Sequence, residues 1–140
     1  MRAHIAVAML AITLPTSTLA ADSGRDTTAA ALNRCLAAPA KASTAGQIGC
    51  ESAALRSYDR RMNLSYASVM RRLPALAADR LRQSQRAWLA YRNAEGQARR
   101  AIYATRQGTM YVPMEADAAV TLTGDRARLL EQYLRALDVE

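Results

Sequence analysis

The sequence predicts an all-α protein, a small helical bundle built on a long antiparallel helical hairpin and carrying one disulfide. Apolar residues recur at spacings of three and four through most of the chain, with little of the alternation that is typical of strands. Pro74 interrupts the longest of these runs, and a helix is expected to end and turn back there. About 120 residues remain after a short leader, which suits one domain with a modest core.

The leader, residues 1–20, has the features of a cleavable secretory signal peptide. It carries a positive charge at Arg2, an apolar run over residues 5–14, and small residues before a cut expected after Ala20. The run is too short to anchor the chain in a bilayer. We therefore expect residues 21–140 to form one helical domain in the periplasm or outside the cell, with no transmembrane segment.

Cap and proline signals delimit the first two helices. A short helix is expected near residues 27–36, ending before Pro39. Ser43 or Thr44 can cap the second helix, although glycines weaken its first turns. The apolar stripe of this second helix consists of Leu55, Tyr58, Met62, Tyr66, Val69 and Leu73.

The third helix follows Pro74, and its expected stripe consists of Ala77, Leu81, Ser84, Trp88, Tyr91, Ala98 and Ile102. Residues 105–112 are expected to form a loop. Pro113 suits the first position of a last helix that extends to about Leu137, and Gly124 could divide this helix in two. The aromatic side chains expected to anchor the core are Tyr58, Tyr66, Trp88 and Tyr91.

Cys35 and Cys50 are expected to form a disulfide, because an exported protein meets an oxidising compartment and an even number of cysteines requires no free thiol. The single histidine, His4, lies in the leader. No metal site is therefore expected in the mature chain.

Four polar side chains flank the apolar stripes. Asp59 and Asn63 lie beside the stripe of the second helix, and Gln85 and Arg92 lie beside that of the third. A hairpin that closes near Pro74 would bring Asp59 level with Arg92 as a partly buried charge pair. It would also bring Asn63 level with Gln85. Such a network either fixes the register of the helices or forms a recognition site. In the structural case, which is the commoner one, removal of Arg92 should cost roughly 2 to 4 kcal/mol.

Residue types argue against catalysis. The mature chain has no histidine to activate a serine, Lys41 lacks the Ser-x-x-Lys spacing, and no glycine-rich phosphate loop occurs. No enzyme, catalytic residue or cofactor is expected. Residues 53–106 carry twelve arginines against three carboxylates, a net charge of +9, whereas residues 107–140 carry −3. The basic centre is either a solvated helix surface or a face that binds anions.

Two segments resemble a known family. YDRRMNLSY at 58–66 and LRQSQRAWLAYRNAEG at 81–96 are similar to the LprI-like family, small exported bacterial proteins named after a mycobacterial lysozyme inhibitor. The matching positions are Tyr58, Asp59, Met62, Asn63, Tyr66, Gln85, Trp88, Tyr91 and Arg92.

The departures from the family pattern concern cysteines. Members commonly hold a third cysteine at the position of Gly96 and a fourth near Ala118. The fourth precedes a Leu-Thr-x-x-Arg signature, which in this chain is Leu122, Thr123 and Arg126. The resemblance implies that this chain has lost one bridge and keeps the bridge between Cys35 and Cys50.

The resemblance also implies a periplasmic inhibitor of a cell-wall-cleaving enzyme such as lysozyme. Lysozymes of the animal type are strongly basic, and the mature chain itself has a net charge of +6. Its acidic end, with Glu115, Asp117, Asp125 and Glu131, would therefore have to face the target. Two alternatives stay open: an Arg-rich module that binds anionic envelope lipids or polysaccharide, and a structural or stress-related accessory protein of the envelope. Nucleic acid is not an expected partner.

Overall fold

The computed structural model describes residues 26–139, and every regular element in this range is helical. The helices are α1 (Thr27–Ala37), α2 (Thr44–Arg72), α3 (Ala75–Ala104) and α4 (Tyr111–Ala136), with a 3₁₀ turn at Pro39–Lys41. The all-α class is confirmed. The expected leader lies outside the described residues. None of the four helices is both long and apolar enough to cross a lipid bilayer.

Side-chain caps set the first two helix starts. The carboxylate of Asp26 caps α1 by accepting a hydrogen bond from the backbone N–H of Ala29 at 3.2 Å. Ser43 caps α2 in the same way through the N–H of Gly46 at 3.1 Å. Gly46 also permits a close approach, since a Cβ there would lie 2.7 Å from the backbone of Lys41.

Prolines and glycines act on the later helices in different ways. The turn at Pro74 is confirmed, because α2 ends at Arg72 and α3 begins at Ala75. The last helix begins two residues before the predicted Pro113, which lies in the first turn, where backbone N–H groups have no partner within the helix. Gly124 does not divide α4; a Cβ at this position would lie 3.1 Å from the ring of Tyr58, so the glycine lets α4 pass close to α2.

The closest pair of helices is α2 and α4. They run parallel, as the contact of Tyr58 with Arg128 and that of Arg61 with Glu131 show. Helices α1 and α3 run antiparallel to α2. The predicted antiparallel hairpin of α2 and α3 is present, and Arg92 reaches Asp59 across it, but the two helices make few close backbone contacts. Helix α4 instead packs closely on α2 and also contacts α3, because its small residues Gly124 and Ala127 allow a short distance to α2. The core consists of Ala54, Tyr58, Met62, Val69, Leu81, Val120, Ala127 and Leu130.

The inward face of α3 departs from the predicted stripe after Trp88. Leu81 is buried and Trp88 packs against the core, whereas Tyr91 is 54% and Ile102 58% exposed. Tyr91 therefore does not anchor the core, contrary to the prediction. The less exposed positions in the second half of α3 are Arg92, Glu95, Gly96, Arg99 and Tyr103. The rotation of α3 follows a buried polar contact between Gln85 and α4.

The predicted disulfide is present. Cys35 in α1 and Cys50 in α2 are joined, with their Cα atoms 5.7 Å apart. Thr28, near the start of α1, adds a hydrogen bond of 2.9 Å between its hydroxyl and that of Ser57. Helix α1 is thus fastened to α2 at both ends.

Candidate functional site

The most buried polar contact joins α3 to α4. Gln85 is 6% exposed, and its Oε1 accepts a hydrogen bond of 2.9 Å from Nε of Arg126, which is 7% exposed. A second guanidinium nitrogen of Arg126 donates to the Ser84 hydroxyl at 3.3 Å. The same guanidinium lies 5.9 Å from the centre of the Trp88 ring. Burial lowers the pKa of Arg126, so this contact places a poorly hydrated cation against neutral groups and fixes the rotation of α3.

The four polar residues predicted as one network divide between two places. Arg92 donates to Asp59 at 3.3 Å across α2 and α3. The Asn63 amide also donates to Asp59 at 3.3 Å, from one turn further along α2. The predicted pair of Asn63 and Gln85 does not form, because the side-chain oxygen of Gln85 accepts its hydrogen bond from Arg126 instead. The sequence did contain a signal for this partner, since Arg126 belongs to the Leu-Thr-x-x-Arg signature.

The pair of Asp59 and Arg92 is half exposed rather than partly buried. Their side chains are 46% and 31% exposed, so water screens the attraction. The guanidinium of Arg92 also lies 5.1 Å from the centre of the Trp88 ring. Exposed ion pairs contribute about 0 to 1 kcal/mol, which is less than the cost expected from the sequence.

We expect Arg92→Ala to lower the free energy of unfolding by about 1 kcal/mol, with a coupling to Asp59→Ala below about 1 kcal/mol. Urea denaturation of the wild type, both single variants and the double variant measures this coupling. The exposed pair of Asp79 and Arg82 provides a matched control cycle. A coupling above about 2 kcal/mol at positions 59 and 92, with a small one in the control, would contradict an exposed pair.

A second ionic cluster, which sequence patterns do not indicate, surrounds Asp26 at the start of α1. Its carboxylate accepts hydrogen bonds from the Tyr58 hydroxyl at 2.6 Å and from Arg61 at 2.5 Å. Arg128 of α4 donates to it at 2.7 Å. Arg61 also forms a bidentate salt bridge with Glu131, with hydrogen bonds of 2.7 and 2.8 Å. Although burial alone would raise it, the hydrogen bonds from these donors hold the pKa of Asp26 well below its usual range.

This cluster holds three helices together. It connects α1, α2 and α4, and Tyr58 within it is 3% exposed, as expected of a core anchor. Burial and then the hydrogen bond to Asp26 raise the pKa of the Tyr58 hydroxyl, which therefore stays a donor. The partners of Asp26 lie 32 to 102 residues away in the chain, so no local pattern could have indicated them.

An open pocket of about 800 Å³ lies where α1 and α3 end and α2 and α4 begin. We name it the end pocket, and its lining includes Leu36, Glu51, Met110, Met114 and Asp117. Met110 is 63% and Met114 45% exposed. The pocket therefore combines exposed flexible apolar side chains with carboxylates.

Glu51 is the chemically most unusual residue of the end pocket. It is 4% exposed, and its Oε2 atom has no hydrogen-bond partner among the described residues. Burial, and then the nearby charge of Asp117, raise the pKa of Glu51. A buried carboxylate oxygen is costly unless a donor or a cation meets it. Glu51 is therefore the residue of the end pocket whose charged form is least well compensated by the described residues.

The acidic residues predicted to face a basic target divide in the structure. Asp117 lines the end pocket. Asp125 pairs with Arg128 and Glu131 with Arg61, so these two are neutralised within the protein. Glu115 is half-buried on α4. Of these four residues, Asp117 is the one that lines the end pocket, where it lies with Glu51.

Comparisons with known proteins agree with the sequence pattern. The profile of a family described as lysozyme inhibitor LprI matches residues 21–130. No curated protein matches the chain. A crystal structure of an uncharacterised protein from Burkholderia thailandensis is similar, with 34% identity and a TM-score of 0.76. The match covers 81% of this chain and 56% of that one, so this chain spans little more than half the length of that relative.

Proposed function

Because this chain belongs to the lysozyme inhibitor LprI family, we propose that it is an exported binding protein that inhibits a lysozyme or a similar enzyme that cleaves the cell wall. The family match covers residues 21–130, which include all of α1, α2 and α3 and most of α4. The disulfide between Cys35 and Cys50 supports an oxidising compartment such as the periplasm. Inhibition by binding requires no catalytic residue and no cofactor of the inhibitor.

The end pocket is the surface that we expect to contact the enzyme. The observation that carries this assignment is the Oε2 atom of Glu51, which no residue within 26–139 meets with a hydrogen bond. A lysine or arginine side chain of a basic enzyme would supply the missing donor. Its aliphatic stem would pack against Met110 and Met114, whose flexible side chains adapt to the shape of a guest. Charged hydrogen bonds of this kind are among the stronger ones in proteins.

Electrostatics favours the same end of the molecule. With a mature net charge of +6, most of the protein surface would repel a basic enzyme. Glu51 and Asp117 lie together in the end pocket, away from the Arg-rich middle of α2 and α3. Approach through this end places unlike charges opposite each other, which speeds association and fixes the orientation of the partner.

We expect the mature protein to inhibit the lysis of bacterial cell walls by an animal-type lysozyme, and Glu51→Gln to weaken this inhibition at least tenfold. A turbidity assay over a range of inhibitor concentrations measures both results. Asp79→Asn is the matched control, because it removes one carboxylate from the exposed N-terminal part of α3, and it should leave inhibition unchanged.

Glu51→Gln should also be more stable than the wild type at neutral pH. Because burial raises the pKa of Glu51 above 4.5, its ionised form opposes folding at pH 7. This penalty decreases as the pH falls through the folded pKa and is lost only below the ordinary value of 4.5. The melting temperature of Glu51→Gln should therefore exceed that of the wild type at pH 7, and the difference should shrink towards pH 4.

The outcomes separate the site from the function. Equal inhibition by Glu51→Gln and the wild type would remove the end pocket from the interface while leaving the function. Absence of inhibition by the wild type against animal-type and bacterial wall-cleaving enzymes alike would refute the function itself.

A further inference from the structure

A second cavity lies on the long side of the bundle, between the middle parts of α2, α3 and α4. It is an open cleft of about 530 Å³, within the size range of small-molecule sites. We name it the arginine cleft, because its lining includes Arg56, Arg60, Arg92 and Arg99 together with Asp59 and Thr123. It shares no lining residue with the end pocket.

The charge of the cleft is strongly positive. Four guanidinium groups line it against one carboxylate, and that carboxylate, Asp59, already accepts hydrogen bonds from Arg92 and Asn63. Among the described arginines that form salt bridges, Arg99 has the least exposed side chain, at 15%. Its guanidinium nitrogen lies 3.9 Å from a carboxylate oxygen of Glu95. Arginine charge around this cleft therefore exceeds what the neighbouring carboxylates neutralise.

Two buried polar atoms at the cleft lack partners among the described residues. The hydroxyl oxygen of Thr123 is one of them, and this residue is 1% exposed. Nε of Arg99 is the other. Buried polar atoms in proteins almost always find a partner, and an exception requires an explanation. A bound oxyanion would accept hydrogen bonds from both.

The shape of the cleft leaves room for such a group. A Cβ at Gly96, which lines the cleft on α3, would meet no heavy atom within 4 Å. On α4 the cleft is lined by Ala119 rather than by Ala118, which lines the end pocket. Small residues on the two facing helices thus leave open space beside the cations.

We propose that the arginine cleft is a binding site for the phosphate group of a small solute, either the free ion or a monoester. Guanidinium groups and a hydroxyl donor match the three or more acceptor oxygens of a phosphate. Its charge of about −1.5 to −2 at neutral pH offsets more of the excess positive charge than a single carboxylate does. The site involves none of the residues assigned to inhibition, so the two proposals can fail separately.

The test is isothermal titration calorimetry of the mature protein with inorganic phosphate, with glycerol 3-phosphate and with acetate, at constant ionic strength. We expect saturable one-to-one binding of a phosphate compound in the millimolar range or tighter, and binding of acetate at least tenfold weaker. Tighter binding of the ester would identify a phosphorylated solute as the ligand, and tighter binding of the ion would identify free phosphate.

Three variants separate a built site from diffuse attraction. Arg99→Gln should weaken phosphate binding at least tenfold. Thr123→Val, which keeps the shape of the buried side chain and removes its hydroxyl, should weaken it about fivefold. Arg86→Gln removes an exposed arginine of α3 that does not line the cleft, and it should change nothing.

Absence of saturable phosphate binding would overturn the proposal. Equal losses in Arg86→Gln and Arg99→Gln would overturn it as well, because they would show attraction to net charge alone. Should Arg99→Gln fail to fold, Thr123→Val decides the question: unchanged affinity in this variant would refute the site.

Discussion

Replacement of Asp26 by alanine is expected to lower the free energy of unfolding by about 3 kcal/mol, because this one carboxylate serves three helices. It caps α1 through Ala29, and loss of an N-cap typically costs about 1 kcal/mol. It also accepts charged hydrogen bonds from Arg61 of α2 and Arg128 of α4. A single bond of this kind contributes roughly 1.5 to 3 kcal/mol, but two bonds to the same carboxylate are not additive. The alanine variant would leave Arg61 and Arg128 without this shared partner.

Asp26→Asn separates the cap from the charge. Asparagine caps helices about as well as aspartate, so this variant should lose only the ionic part, about 2 kcal/mol. Urea denaturation followed by circular dichroism measures both variants, and Asp79→Ala, which removes an exposed carboxylate, serves as the control. Losses below about 0.5 kcal/mol in both Asp26 variants would show that the cluster does not hold the helices together.

The effect of Asp26 should depend on pH in one direction. Its folded pKa is held below the ordinary value of 3.8, so its contribution is fully present above that value and is lost as the pH falls from there towards the folded pKa. The stability difference between the wild type and Asp26→Ala should therefore be constant between pH 5 and 7. It should shrink on acidification below pH 4.

Removal of the disulfide, by the double change Cys35→Ala and Cys50→Ala, is expected to have an effect of similar size. The bridge spans 15 residues, and the loop-entropy estimate for that length is about 3 kcal/mol. Helix α1 has 11 residues, and an isolated helix of that length is marginal in water. We therefore expect α1 to open first when the bridge is absent.

Hydrogen exchange of backbone amides tests the disulfide prediction at the level of single helices. Protection in α1 should fall in the double variant, while the middle of α2 and α4 should change less. A reducing agent should reproduce this effect in the wild type and should have no effect on the double variant, which serves as its control. Equal stability of the bridged and unbridged proteins would contradict the prediction.

The position of Gly96 shows how far a sequence comparison extends. The resemblance implies that other members hold a cysteine at this position, which would account for a glycine within an otherwise strongly helix-forming segment. The structure adds that the position faces open space beside Ala119 rather than a close contact. No packing requirement for a glycine exists at this point, in contrast to Gly46 and Gly124, where a Cβ would lie within 3.1 Å of neighbouring atoms.

The sequence by itself determined the local features of this protein. The cap at Ser43 or Thr44, the turn at Pro74 and the helical period of α2 act over a few residues, so they can be predicted without knowing what lies nearby. The structure then selected Ser43 as the cap. The bridge of Cys35 and Cys50 also followed, because no other cysteine competes for either partner. The family motif indicated which polar residues matter, but not which of them meet.

Only the tertiary structure decided which helices touch and which polar groups pair. Gly124 and Ala127 brought α4, rather than α3, closest to α2. Arg126 of α4 donates a hydrogen bond to Gln85 of α3. In the rotation of α3 that goes with this contact, Tyr91 is exposed. The physical reason is that an arginine can satisfy any nearby acceptor. Which acceptor an arginine binds depends on which helices lie next to it, and the packing of residues that are distant in the chain determines those neighbours.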